Sequence, residues 1–368
     1  MDFELTEEQR LLRDTTREVL SRSYDHESRT KVLETELGWS RDVWSQLAEL
    51  GILGLGFDSE EASFVEVMVV LTEFGRHLAP EPFVHAALIP GTLIADAGTE
   101  QQRRALDAVS GGQRLLAFAH REPGARWPST EVTTKATRAG DSWVVSGRKN
   151  PVLVGDCADQ LVVSAALPDG GVGLFLVDGD AVTRRRYSTF DGRRGAQIDF
   201  DQAPAEPLGE TADASEHIRH AVIRSQAALC AEAVGAMEEA LRLTTEYLKT
   251  RKQFGVTLNK FQTLTQRAAD MYVSLELARS MNLYAGLSIA DGNIDPVIAS
   301  RAKLQIGRSA RHVGQEAIQL HGGIGMTAEY PVGHYTARLT AIEHTLGSND
   351  DHLRVLMDQL RNYDVVSL

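Results

Sequence analysis

The period of the hydrophobic residues changes twice along this chain, and that alternation limits the folds open to it more than any other feature. From Thr6, spaced with Gln9 as in a capping box, to about Gly112, apolar residues recur at helical intervals, punctuated by Gly51, Gly54, Pro80, Pro82 and Pro90. Between about Gln113 and Gly209 the pattern becomes short β-branched runs at Thr130–Thr134, Trp143–Ser146, Leu161–Ser164, Val172–Val177 and Ala196–Phe200. Turn formers divide them at Gly140-Asp141, Pro168-Asp169-Gly170-Gly171 and Asp191-Gly192. From about Ser215 the helical period returns. Val222, Leu229, Ala233, Met237, Leu241 and Leu248 share one face, and Leu264, Ala268, Met271, Leu275, Ala278 and Met281 share a face of a second helix. A third helix has Asp295 as N-cap, Pro296 at its first position, a stripe through Ile298, Ala302, Ile306, Val313, Ala317 and Leu320, and Gly322 as its stop. Ser348 with Asp351 caps a last helix expected to reach about Arg361. The order predicts an α+β chain with an N-terminal helical domain over 1–112, a small antiparallel β-domain over 113–210 and a bundle of long antiparallel helices over 211–368.

Size and charge narrow the functional classes. A chain of 368 residues is too long for one simple core, and 43% hydrophobic with 24% charged residues reads as ordinary globular protein. A formal charge of −13 argues against a nucleic-acid backbone or an anionic membrane as partner, while leaving room for a local basic pocket that takes a phosphate-bearing ligand. Cys157 and Cys230 lie far apart without metal-ligand spacing, so neither zinc nor a disulfide framework is indicated, and a reducing cytoplasm fits. The first residues, Met1-Asp2-Phe3-Glu4-Leu5-Thr6-Glu7-Glu8-Gln9, lack an apolar signal core, and no run of about 18 apolar residues occurs. Export and membrane spanning are not expected.

Three C-terminal motifs carry the chemistry. The first is Tyr247-Leu248-Lys249-Thr250-Arg251-Lys252-Gln253-Phe254-Gly255 with Phe261-Gln262; the second is Gln319-Leu320-His321-Gly322-Gly323-Ile324-Gly325; the third, 27 residues after Gln319, is Leu346-Gly347-Ser348. A guanidinium fork suits a diphosphate, an aromatic ring offers a stacking face, an amide hydrogen-bonds, and paired glycines let backbone approach a ligand. Together, and with the helix, sheet, helix order, these stretches resemble the acyl-CoA dehydrogenase family over nearly the whole length. The resemblance implies that family's fold, with a C-terminal four-helix bundle, and FAD as cofactor. It implies that Arg251, Gln253, Phe254, Gln262, Gln319, Gly322 and Gly323 reach the pyrophosphate and adenine side of a flavin held mainly by a neighbouring subunit. In the family a glutamate at the position of Leu346 removes the α-proton of an acyl-CoA thioester. Leucine has no lone pair to accept one.

Other family contacts are missing as well. Where the family has a Thr-Glu-Pro segment ending in a serine against the flavin ring, this chain has Arg121-Glu122-Pro123-Gly124-Ala125-Arg126-Trp127. Where it has Trp-Ile-Thr lining the ring, this chain has Pro151-Val152-Leu153 within Lys149-Asn150-Pro151-Val152-Leu153-Val154-Gly155. Proline has no N–H, and leucine offers no hydrogen bond to a flavin nitrogen. After Gly54-Leu55-Gly56 an acidic-glycine loop is replaced by Phe57-Asp58-Ser59-Glu60-Glu61-Ala62-Ser63, expected to pass straight into helix, and the position on the first long C-terminal helix used as base by some relatives is Ser225. Contacts to a neighbour's cofactor are kept while contacts to the chain's own are lost, and no catalytic residue is assigned. This is similar to the small subunits of heteromeric acyl-CoA dehydrogenases acting on pimeloyl-CoA or steroid-derived esters. The resemblance implies a homologous catalytic partner in a heterotetramer, FAD shared across the interface, an acyl-CoA substrate and electron delivery to an electron-transfer flavoprotein. Two alternatives stay open: a self-sufficient enzyme whose base is displaced to Glu343, His344, Asp350 or Asp351, and a flavin-free scaffold.

Overall fold

The computed structural model describes residues 5–57, 63–125, 127 and 131–359. In chain order its elements are α1 (Glu7–Ser23), α2 (His26–Leu33), α3 (Arg41–Glu49), α4 (Phe64–His77), α5 (Ile89–Ala97), α6 (Glu100–Arg104) and α7 (Asp107–Ser110). Then come β1 (Leu116–Ala119), β2 (Lys135–Ala139), β3 (Ser142–Leu153), β4 (Gln160–Ala166), β5 (Val172–Asp178), β6 (Thr183–Ser188) and β7 (Arg194–Pro207). They are followed by α8 (Ser215–Thr250), the short strands β8 (Lys252–Gln253) and β9 (Val256–Thr257), α9 (Gln262–Ala290), α10 (Pro296–His321), α11 (Val332–His344) and α12 (Asn349–Gln359). The α+β order of helices, sheet and helices is the one expected. The chain forms two compact units, one of Met1–Arg29, Phe64–Ala79 and Gln226–Leu368, the other of Thr30–Ser63 and Pro80–Ser225.

Among the described residues the first unit is built of helices and the β8–β9 hairpin. Its helices start where local chemistry says they should: Thr6 and Gln9 form the reciprocal capping box, each side chain 3.1 Å from the other's amide. Asp295 takes the amides of Val297 and Ile298 at 2.6 and 3.2 Å with Pro296 in the first turn, and Ser348 takes the Asp351 amide at 3.3 Å. The apolar stripes converge on one core that includes Leu229, Ala233, Met237, Met271, Leu275, Ala278, Ile306, Val313 and Ala317. From Gln226 to Met237, α8 is buried on all sides. This requires α4 to cross it backbone to backbone: a Cβ on Gly75 would lie 1.8 Å from the Glu232 carbonyl oxygen, and one on Gly235 would lie 1.8 Å from that of Thr72. α12 is described as far as Gln359; the expected end near Arg361 lies outside the described residues, as do residues 58–62 ahead of α4.

The second unit is organised by the sheet. β3 pairs with β2 and β7, β7 with β5 and β6, and β5 with β4, all antiparallel. β1 and β2, however, each pair with β4 in parallel, which corrects the expectation of a purely antiparallel domain. Parallel neighbours need a crossover of a dozen or more residues, and the stretch from Ala119 to Gln160 supplies one. A second correction concerns the run Thr130–Thr134. The Glu122 carboxylate takes the amides of Thr133 and Thr134 at 2.8 and 2.9 Å, withdrawing them from any ladder, and β2 begins only at Lys135; Thr130 lies outside the described residues. β1 and β6 were not anticipated, since Leu116-Ala117-Phe118-Ala119 suits a helix as well as a strand and Thr183–Ser188 is rich in arginine.

Candidate functional site

The first unit gathers the motif residues at the ends of two long helices. At the end of α8 the chain leaves through Arg251, whose amide bonds the Tyr247 carbonyl at 2.8 Å and whose carbonyl receives the Leu258 amide at 2.9 Å. Between these bonds Lys252 pairs with Thr257 and Gln253 with Val256, so Phe254 and Gly255 form a two-residue turn. Both have positive φ, 52° and 82°, as the turn type that matches strand twist demands. A bulky residue in that region is uncommon, and here it holds Phe254 91% exposed, edge-on to Phe261 at 6.2 Å. Gln262 follows as the exposed first residue of α9.

α10 ends at the second motif. Gly322 adopts φ 66°, and its amide bonds the carbonyls of Ile318 and Gln319. A Cβ at Gly322 or Gly323 would meet nothing within 4 Å, so this turn faces open space. The two motifs are joined by three rings: Tyr247 stacks on His321 at 4.5 Å, and His321 lies 4.9 Å from Tyr330. Arg251, Gln253, Phe254, Gln319, Gly322 and Gly323 are all exposed. Among the described residues Arg251 has no carboxylate partner, whereas Arg242 and Arg267 are held by Glu246 and Glu316 at 2.6 Å each. An unmatched guanidinium, a presented aromatic ring and an uncovered glycine turn fit the diphosphate and adenosine of a dinucleotide.

The segments expected against the flavin ring lie in the second unit and are braced from below. Lys149, fully buried, donates to the His120 carbonyl at 3.0 Å, Glu122 Oε1 at 2.8 Å and Ser164 Oγ at 3.1 Å. Burial pushes the Glu122 carboxyl up, but the bonds from Lys149, Thr133 and Thr134 outweigh it and hold the pKa down to about 2. Burial draws the Lys149 ammonium down to about 8 against the pull of Glu122, so both remain charged at neutral pH. Nothing in the sequence pattern pairs Glu122 with Lys149, which stand 27 positions apart. Of the same segments, Trp127 is half-buried and Pro151 exposed, and Arg126 lies outside the described residues. Leu153 and Val154 line a cavity of about 20 Å³ with Trp39, Asp156 and Arg194, room for about one water. Pro151 has no N–H, and the side chains of Pro151 and Leu153 donate no hydrogen bond, so neither can supply a flavin nitrogen with a partner.

At the position that the resemblance gives to the base stands Leu346, a hydrocarbon. Leu346 is half-buried at φ 59°, and its carbonyl is fixed by Gln226 Nε2 at 2.9 Å and His352 Nε2 at 3.1 Å. Glu343 is buried and bound to Arg311 at 2.7 Å. Asp351 caps α12: Ser348 N and Oγ reach it at 3.0 and 2.7 Å, and although burial raises its carboxyl, those bonds leave it below the usual range. An ionised acid already saturated by donors is a poor base. His344 and Asp350 face solvent, and buried Ser225 is bonded to the Ala221 carbonyl of its own helix.

Residues 6–110 match the family description "Acyl-CoA dehydrogenase, N-terminal domain", and residues 218–360 match "Acyl-CoA dehydrogenase, C-terminal domain". The short-chain specific acyl-CoA dehydrogenase of Clostridium acetobutylicum is 28% identical over 90% of this chain and 92% of that protein. Acyl-CoA dehydrogenase FadE28 of Mycobacterium tuberculosis is 29% identical over 97% of this chain and 98% of its own length. Among solved structures, a variant of the Tcur3481-Tcur3483 steroid ACAD is 31% identical with a TM-score of 0.89, covering 97% of this chain and 98% of that one. The ChsE4-ChsE5 complex from Mycobacterium tuberculosis, at 23% identity, shares the fold with a TM-score of 0.90 over 99% of this chain and 100% of that one. The class is therefore that of FAD-dependent oxidoreductases acting on CH–CH bonds. The chain belongs to the acyl-CoA dehydrogenase family. Among its described residues no helix is long and apolar enough to cross a membrane.

Proposed function

We propose that this chain is the base-free subunit of a heterotetrameric acyl-CoA dehydrogenase, completing a flavin site seated mainly in a homologous, carboxylate-bearing partner. The observation that carries this reading is Leu346: the turn that should present a base is held firmly by Gln226 and His352, yet offers only a hydrocarbon. The names of two similar structures, a steroid ACAD and a two-component complex, support it. FAD, when bound, supplies the hydride acceptor for α,β-dehydrogenation of an acyl-CoA thioester. Proton abstraction falls to the partner's carboxylate. The part of this chain is to bind: Arg251 on the diphosphate, Phe254 as a stacking face, Gln253, Gln262 and Gln319 as hydrogen-bonding amides, and Gly322-Gly323 as a backbone surface open to close approach. We place the protein in the cytoplasm, with a steroid-derived or dicarboxylic acyl-CoA as substrate, an electron-transfer flavoprotein as electron acceptor, and the 1–112, 113–210 and 211–368 division as its domains.

The test is absorbance near 450 nm of the chain purified alone and with the partner. Yellow protein only in the complex is the expected result; a yellow, active chain alone would establish a displaced base, and a colourless complex would leave a scaffold. Arg251→Ala is expected to lower the flavin content of the complex by about tenfold or more, as loss of a charge-assisted bidentate contact does, without changing the melting temperature of the chain.

A further inference from the structure

We infer that Lys249, Lys252 and Lys260 form a docking collar for an acidic face of the homologous partner subunit, beside the place where the nucleotide tail is held. This rests on the reading above that the end of α8 and the hairpin after it complete a flavin site in that partner. It gives the same segment a second task, the binding of protein as well as coenzyme.

The charge of this chain, formally −13 in total, changes sign over one short stretch. Lys249-Thr250-Arg251-Lys252-Gln253-Phe254-Gly255-Val256-Thr257-Leu258-Asn259-Lys260 holds four cations and no acid. The fold doubles this stretch back on itself, with Lys252 paired to Thr257 and the Leu258 amide bonded to the Arg251 carbonyl at 2.9 Å. All four cations are exposed, and none has a carboxylate partner among the described residues. Arginines elsewhere on α8 and α9 show the contrast: Arg242 is held by Glu246, Arg279 by Glu238 and Arg267 by Glu316, each at 2.6 Å.

The fold itself has little use for these charges. A cation in the last turn of α8 suits the negative end of that helix, which accounts for Lys249 but not for Lys252 or Lys260 beyond it. Lys260 stands two residues ahead of α9, at the positive end of a helix, where neither an acid in the first turn nor a capping side chain offsets it. Such a charge calls for an anion from outside the chain. A diphosphate does not need all four cations, since Arg251 alone can grip it through two parallel hydrogen bonds. Between Lys252 and Lys260 stands Val256, 43% exposed, and an apolar side chain flanked by cations has the make-up of a protein contact, apolar within and charged at its rim. On a chain of −13, a local reversal of sign is the place where an acidic partner is attracted and not repelled.

The test uses the whole chain and the carboxylate-bearing partner subunit, with association followed by surface plasmon resonance from low salt to about 0.5 M NaCl. Association of the unsubstituted chain should slow roughly tenfold or more over that range, a readout that needs no variant; a rate indifferent to salt would overturn the inference. The triple variant Lys249→Gln, Lys252→Gln, Lys260→Gln should associate slowly at low salt and respond little to more, with an unaltered dissociation rate. Flavin per assembled complex, read near 450 nm, should be the same for both. A triple variant that keeps the full salt response would sink the collar, and so would one that loses as much flavin as Arg251→Ala, because the lysines would then serve the coenzyme's phosphates. Salt-sensitive pairing of the chain with itself, abolished in the triple variant, would make the occupant a second copy and overturn the assignment. In each of these cases a flavin loss in Arg251→Ala leaves the tail site standing without the collar. If no homologous subunit binds the chain at any salt concentration, both readings fall.

Discussion

His352 shows how one buried ring can hold the shape of the turn around Leu346. Its ring is 1% exposed, with Nε2 donating to the Leu346 carbonyl at 3.1 Å and Nδ1 3.3 Å from Ser300 Oγ, an arrangement that suits the neutral imidazole. Burial first, and then the nearby Lys303 charge, pull its pKa from the ordinary 6.5 to about 4. The sign follows from proton counting. Between pH 6.5 and 4 the unfolded chain takes up a proton that the folded chain refuses, so this contribution to stability is whole above pH 6.5 and is lost as pH falls through that window. The loss is roughly 3 kcal/mol at one pKa unit per ~1.4 kcal/mol. Melting temperature measured from pH 7 to 4 should therefore drop less steeply in His352→Gln, which can still donate to Leu346; parallel curves would show that His352 is not the titrating group.

At the scale of elements, the crossing of α4 and α8 is the contact with least tolerance in the first unit. Gly75 and Gly235 each face a backbone carbonyl of the other helix, not a side chain that could swing away. Gly235→Ala should destabilise the protein by about 3 kcal/mol or more through forced separation of the helices, visible as a lowered denaturant midpoint. An unchanged midpoint would mean the helices are farther apart than described. Neither glycine could be singled out from the sequence, where both read as interruptions of a helical pattern. Features decided within a few residues were legible: the caps at Thr6, Asp295 and Ser348, the stripes of α8 to α10, and the turns at Gly140 and Gly170. Features decided across the chain were not. Glu122 reaches Thr133, Thr134 and Lys149 by side-chain bonds that displace β2 by several residues, and no periodicity encodes them. The same holds for the candidate site: the positive φ at Phe254 and Gly322 is a matter of a few residues, but the stack of Tyr247, His321 and Tyr330 that joins the two motifs is one that only the fold assembles.

For the molecule as a whole, the question is whether one substitution could make this chain an enzyme by itself. Leu346→Glu would return a carboxylate to the base position at little backbone cost, since both side chains meet the same positive φ of 59° there. The turn would still be anchored by Gln226 and His352. A base is only part of the reaction, because dehydrogenation also needs the redox ring seated against the acyl chain, and Pro151 and the Leu153 side chain give that ring no donor. A proton acceptor without a hydride acceptor beside it produces no turnover. The isolated Leu346→Glu chain should therefore fold, stay colourless at 450 nm and fail to reduce an artificial electron acceptor when supplied with steroid-derived or dicarboxylic acyl-CoA esters. If instead it turned yellow on adding FAD and oxidised a thioester, the second unit would contain a working ring site after all, and Leu346 would be the only thing separating this subunit from a complete dehydrogenase.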